Sequence, residues 1–257
     1  MHYKCVVLVI AHDDPSMKPF KDIWEENWNS HSDILSDYAC FYLYNDETLA
    51  TCKQVGNNLY FPFKETYPAP GLLQKTFGAV DFLNDRGITY DMIYRTNLSS
   101  LICWKGFVKH VETHAHDREY YAGNPYGVGF ISGSGMFLSN DLVSTLRHNI
   151  QSMDFSIADD HSMNLWFHRN KPGLQFQYIE SVEDPKGMAS ALKRGVFHFR
   201  FNSLLQNQDA QRTLDHKRMR DMYAMMMMSA RDGYIVHIIV SCMILLSLIL
   251  LCIILLS

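Results

Sequence analysis

Three groups of polar side chains interrupt or terminate apolar runs of strand length. Arg95-Thr96-Asn97 follows the apolar run 90–94, Asp159-Asp160-His161 stand where a helix opens, and His198 and Arg200 alternate with Phe197, Phe199 and Phe201. Alternation on a strand puts His198 and Arg200 on one face. A guanidinium offers phosphate oxygens paired N–H donors, and a carboxylate or an imidazole moves a proton. Brought together, these side chains suit a phosphate-bearing substrate and a proton transfer. Asp159 or Asp160 also reads as the cap of the helix that runs through Trp166, where a carboxylate meets the positive end of the helix dipole.

Other chemistries are less well served. His110, Glu112, His114 and His116 include histidines four apart, the best metal-like spacing in the chain, but the order His-x-Glu-x-His is not the zinc motif and no third ligand is specified. Glycines 127, 129, 133 and 135 miss the dinucleotide fingerprint because position 132 is Ser, and Ser134 lacks the flanking glycines of a hydrolase elbow. Cys5, Cys40, Cys52 and Cys103 are scattered, while Cys242 and Cys252 lie in an apolar tail, so neither a zinc site nor a disulfide framework is indicated. With 27 acidic against 23 basic residues, a net charge of -4, the chain has no basic field for duplex nucleic acid, which is not an expected partner.

The elements that must position the three groups follow a strand and helix alternation. Residues 3–11, apolar from Cys5 onward, read as a fully buried first strand. Phe20, Ile23, Trp24 and Trp28 recur at helical spacing, and 38–44 is an aromatic-rich second strand. Pro68, Pro70 and Gly71 break the chain before a helix carrying Leu73, Phe77, Val80 and Leu83, closed by Asp85-Arg86-Gly87, and the strand 90–95 follows. Residues 107–117 are helix-compatible, 120–124 form a short strand, and Ser139 or Asn140 caps a helix with Leu142, Val143, Leu146 and Ile150. Strands 174–179 and 196–201 complete the expected sheet.

In this order, "PGLLQKT", "YRTNLSS", the Gly-rich "GFISGSGMFLSNDLV", "IADDHSMNLWF" and "FHFR" resemble a GT-A fold nucleotide-sugar glycosyltransferase. More closely they resemble a group of small glycosyltransferases encoded by large DNA viruses and by microbial polysaccharide loci. The resemblance covers residues 3–205 and implies an α/β, Rossmann-like mixed sheet flanked by helices. It implies a transferase that moves a sugar from a nucleotide sugar to a hydroxyl of a glycan or lipid-linked acceptor, by inverting displacement with Asp160 as base and Asp159 beside it. Lys75, Arg95, Thr96, Asn97, His198, Arg200 and Asp13 fall on the donor side, with Asp14 and Asp46 also near the base and ribose. Ser134 and His161 fall on the acceptor side. The metal-holding Asp-x-Asp of such enzymes falls at Arg95-Thr96-Asn97, where both carboxylates are missing. Manganese or magnesium would be left with Asn97 and His198, whereas Arg95 can meet a diphosphate directly.

The tail is a separate signal. Residues 235–257 contain no Asp, Glu, Lys or Arg, and a 23-residue helix at about 1.5 Å per residue matches a hydrocarbon layer of about 30 Å. Arg212, Lys217, Arg218, Arg220 and Arg231 precede it. The expected organisation is a catalytic domain over 1–207, an amphipathic juxtamembrane helix over 208–233 and a transmembrane helix over 234–257. The bilayer is then a partner, and the positive-inside rule keeps the large domain cytosolic behind a C-terminal anchor. The runner-up function is a membrane-anchored sugar- or nucleotide-binding module without catalysis.

Overall fold

A computed structural model describes residues 1–64, 71–127, 129–202 and 209–228. Its frame is an eight-stranded mixed sheet with helices on both faces. Strand β1 (His2–Ile10) runs parallel to β2 (Tyr38–Asn45) on one side and to β5 (Thr89–Asn97) on the other. Beyond β2 lie β4 (Asn58–Phe61) and β3 (Lys53–Val55). Beyond β5 lie the antiparallel β8 (Phe130–Ser139), then β7 (Tyr121–Tyr126) and β9 (Phe176–Tyr178), in the order β3-β4-β2-β1-β5-β8-β7-β9.

β1 is apolar without alternation because both of its faces are covered. Cys5, Val7 and Val9 enter one core, and Val6, Leu8 and Ile10 enter the other. The first core lies under helices α1 (Lys18–Asn29), α3 (Trp104–His114), α6 (Pro185–Lys193) and α7 (209–228); the second lies under α2 (Gly71–Asp85), α4 (Asn140–Asn149) and α5 (Asp159–Asn170). On α1 the buried Phe20, Ile23 and Trp24 share one face, and burying side chains of this size is worth about 1.5–3 kcal/mol each. Trp24 and Trp104 meet edge to face, ring centres 5.9 Å apart, which locks α1 to α3.

Three sequence expectations need correction. The stretch around His198 does not complete the main sheet: β11 (His198–Arg200) pairs with β10 (Ser181–Val182) and, antiparallel, with β6 (Ser100–Ile102) in a separate three-stranded sheet. Neither aspartate is the cap of α5, whose N-cap is Ala158; both sit in the first turn, where Asp159 pairs with Arg95 and Asp160 accepts from the His161 and Gly133 amides. At α4 the cap position is Ser139, but its hydroxyl donates to the Asp141 carboxylate (2.6 Å) and accepts from the Tyr120 N–H (3.0 Å) instead of serving the helix.

Helix α7 is packed on the domain itself. Met219, Met222, Tyr223 and Met226 are buried in the first core, while Met225 and Met228 face outward. The expected membrane helix, 234–257, lies outside the described residues, as do Pro68 and Pro70. No described helix is long and apolar enough to cross a membrane.

Candidate active site

Because β1 and β5 are parallel, their carboxyl ends open on one rim of the sheet, the position where open α/β sheets bind ligands. A cavity of about 520 Å³ lies there. Its floor comes from Arg95 and Asn97 at the end of β5, from Ser132, Gly133 and Ser134 at the start of β8, and from Asp159 and Asp160 at the start of α5. Its rim includes His12 and Asp14 after β1, Arg200 on β11, and Arg212 on α7.

Arg95 is the most constrained charge in this group. It is only 3% exposed, and its guanidinium pairs with the buried Asp159 carboxylate. Its Nε and Nη1 have no hydrogen-bond acceptor among the described residues. Both nitrogens are closed off from solvent and an unmet buried donor costs about 1–3 kcal/mol, so the guanidinium sits under the cavity floor as a positive charge that Asp159 only partly satisfies. The backbone is shaped to admit this side chain: a Cβ on Gly133 would lie 2.2 Å from Arg95 Nη1. Burial pushes the Asp159 carboxyl above its ordinary range; Arg95 pulls it back and the Asp160 charge adds to the rise.

Asp160 has a different environment. It is half-buried, its Oδ2 accepts from the Gly133 N–H (2.8 Å) and its Oδ1 from the His161 N–H (2.8 Å), with no cation bonded to it among the described residues. Each carboxylate oxygen has two lone pairs, so capacity remains for a substrate hydroxyl. The two adjacent aspartates therefore divide: Asp159 neutralises the arginine, and Asp160 is held in place by backbone amides on the cavity wall.

Several other expected residues hold the wall in place from behind. Thr96 Oγ1 (2.7 Å), Ser100 Oγ (3.2 Å) and His198 Nε2 (3.0 Å) all donate to the Ser134 carbonyl. With Nε2 donating, His198 Nδ1 accepts from Asn124 Nδ2 (2.9 Å) and from Ser181 Oγ (2.8 Å). Both ring nitrogens are thus engaged within the protein, and burial drives the imidazole down to about 3. Asn97 Oδ1 accepts from Ser99 Oγ (2.9 Å), and Ser100 Oγ, whose single proton it shares with the Ser134 carbonyl, lies 3.1 Å away. Lys75 is fully buried and donates to the Ala11 carbonyl (3.2 Å), away from the cavity lining. Asp13 and His161 are exposed and do not line it, although Asp14 does.

A divalent metal does not fit the end of β5. The position is occupied by a buried guanidinium, the Asn97 oxygen already accepts the Ser99 hydroxyl, His198 has no nitrogen to give, and Asp159 is neutralised. Among the described residues no group of three or more His, Cys, Asp or Glu is placed to hold an ion.

His12 and Arg212 are additions that the sequence reading did not place here. Arg212 stands in the basic flank of the tail, and nothing local distinguishes it from its neighbours; only the docking of α7 brings it to the rim.

No protein-family model matches the sequence, and no curated protein matches it. Among solved structures, the chain is similar to that of a glycosyltransferase involved in the glycosylation of the major capsid of PBCV-1. The TM-score is 0.48 at 11% sequence identity, over 84% of this chain and 98% of that one.

Proposed function

We propose that this chain is a nucleotide-sugar glycosyltransferase of GT-A type that transfers a glycosyl group to a hydroxyl. The supporting observation is the convergence, in one cavity at the carboxyl ends of β1 and β5, of a buried arginine with unmet N–H groups and an aspartate bonded by backbone amides alone. In the proposed step, Asp160 takes the proton of the acceptor hydroxyl as its oxygen bonds to the anomeric carbon. The bond from that carbon to the diphosphate oxygen breaks, and its electron pair leaves with the nucleoside diphosphate. Arg95, with Arg200 and Arg212 at the rim, meets the charge that grows on the leaving group. No metal enters this step. Residues 234–257 would anchor the domain to a bilayer, with the large domain digested when intact microsomes carrying the full chain are treated with protease.

Asp160→Asn is the deciding variant. It keeps the shape of the side chain but removes the base, so transfer falls by about 10²–10⁴ while nucleoside diphosphate affinity survives. Full activity in the variant removes the assignment. Nucleotide binding should be equal in manganese and in EDTA; a requirement for manganese would overturn Arg95 as its replacement.

The unmet guanidinium also favours a second reading, a nucleotide-binding module without transfer. Donor breakdown separates the two, since a module releases no nucleoside diphosphate from a nucleotide sugar.

A further inference from the structure

The first cavity does not end at Ser134. A second one, of about 630 Å³, continues from it, and Ser132, Ser134, Arg200 and Asn202 line both. The residues it adds are of a distinct kind. Tyr126 closes β7 just before Gly127, which takes the left-handed conformation (φ +60°), and the tyrosine is 67% exposed. Glu183 and Arg200 both line the groove as a loose ion pair, 3.8 Å between carboxylate and guanidinium, and Arg200 Nε is buried with no hydrogen-bond acceptor among the described residues.

This chemistry selects among ligands. One arginine opposed by a glutamate gives no field for nucleic acid. Among the described residues the groove has no run of aliphatic side chains to take a lipid tail. What the groove offers is a flat aromatic face beside a carboxylate that accepts and a guanidinium that donates. A pyranose ring has one face lined by C–H groups, which packs on an aromatic ring, and a rim of hydroxyls that both donate and accept.

We infer that this second groove is a glycan site, in which a sugar ring packs on Tyr126 and is oriented through its hydroxyls by Glu183 and Arg200. Resting on the transferase reading above, it is the acceptor site. The geometry joins it to the chemistry: Ser132 and Ser134 line both spaces, and Gly133 between them lines the first, where its N–H holds Asp160. The two spaces meet at Ser132, Ser134, Arg200 and Asn202, and a hydroxyl of a ring seated in the groove would enter the first cavity, which Asp160 lines, along that junction. Arg200, at the junction, stands on both sides.

The test uses the full chain in a detergent without a sugar headgroup and two independent measurements. Saturation-transfer NMR with a panel of methyl glycopyranosides reads the groove, and calorimetry with nucleoside diphosphates reads the first cavity. At least one glycoside should bind, with affinity falling about tenfold or more in Tyr126→Ala and in Glu183→Gln, while nucleoside diphosphate affinity changes by less than about twofold. Tyr126 and Glu183 are exposed, so neither variant disturbs a core. If no glycoside binds, or Tyr126→Ala binds it as well as the parent, the glycan site is overturned whatever the nucleotides do. If glycosides bind through Tyr126 but no nucleoside diphosphate binds, the groove stands as a glycan site and the transferase reading falls.

Discussion

Two clefts of nearly equal size lie at opposite ends of the same strands. At the carboxyl ends of β1 and β5 the cavity is about 520 Å³. At their amino ends another, about 510 Å³, is lined by His2, Lys4, Asp37, Asp91, Glu112 and His116. Both are rich in charge, but the charges have different partners. At the amino end Lys4 lies between Asp37 (3.4 Å) and Glu112 (3.3 Å), and His2 lies 3.4 Å from Asp91, all in contact with water. At the carboxyl end an ion pair is buried and part of its arginine is left unmet. Volume and charge do not separate the two; desolvation does. Exposed pairs are worth little and ask for nothing, whereas a buried, incompletely bonded guanidinium is retained at a cost in stability that a ligand can offset.

The strongest way to break this contrast is Arg95→Met. It leaves Asp159 buried without its partner, and the loss of one member of such a pair costs about 3–5 kcal/mol. Urea unfolding of the full chain should show it, together with loss of nucleoside diphosphate binding. Arg95→Met combined with Asp159→Leu removes the stranded charge and should recover most of the stability without recovering binding. If binding returned with stability, Arg95 would be a packing residue and the contrast would fail.

A smaller effect comes from the backbone that admits Arg95. Gly133→Ala puts a methyl group 2.2 Å from Nη1, and forcing a group into a packed wall costs about 1–3 kcal/mol. Since Gly133 also holds Asp160 through its N–H, transfer should suffer more than stability. Unchanged nucleotide affinity in this variant would mean that the guanidinium does not need its present position.

Buried histidines sharpen the contrast through pH. Burial lowers His198 to about 3 and His110 to about 4, against an ordinary 6.5. Their folded values lie below their unfolded ones, so the stability they contribute is complete above pH 6.5 and is lost as pH falls from there toward the folded values. Each lowers stability by up to about 1.4 kcal/mol per pH unit inside that window. His110 packs among Phe137 and Phe197 with ring centres 4.8 and 5.2 Å away, so His110→Phe suits the site. The dependence between pH 6.5 and 5 should be less steep in that variant, with His198 and His216, whose imidazole burial also lowers, still contributing. An unchanged slope would place the titration elsewhere.

Much of the frame is legible in residue patterns because burial on two faces writes itself into a strand: the run after Lys4 in β1, or the alternation of Phe197, Phe199 and Phe201 around His198 and Arg200. Helices α1, α2 and α4 show in the spacing of their apolar residues. What the pattern does not carry is partnership across distance. β6 is three residues long, too short to reveal that it draws β11 out of the main sheet. The different fates of Asp159 and Asp160 depend on Arg95, which no local signal links to either. Thr96 and His198 stand in polar clusters and look like ligand contacts, but they converge on the Ser134 carbonyl and serve the wall. Arg212 becomes part of the rim only through the buried methionines of α7.

The smallest expected effect belongs to the amino-end cleft and completes the comparison. Glu112 raises the affinity of the Lys4 ammonium for its proton by a hydrogen bond, with Asp37 adding to it, yet the lysine and its partners remain in water. Lys4→Met should therefore change stability by less than about 1 kcal/mol in low salt and by nothing measurable in 1 M salt, where screening acts over about 3 Å. Nucleotide binding and transfer should be untouched. The same substitution type at the two ends of one sheet then gives losses that differ severalfold. If Lys4→Met instead destabilised the chain as strongly as Arg95→Met, burial would not be what distinguishes the ends, and the amino-end cleft would have an equal claim to be a site.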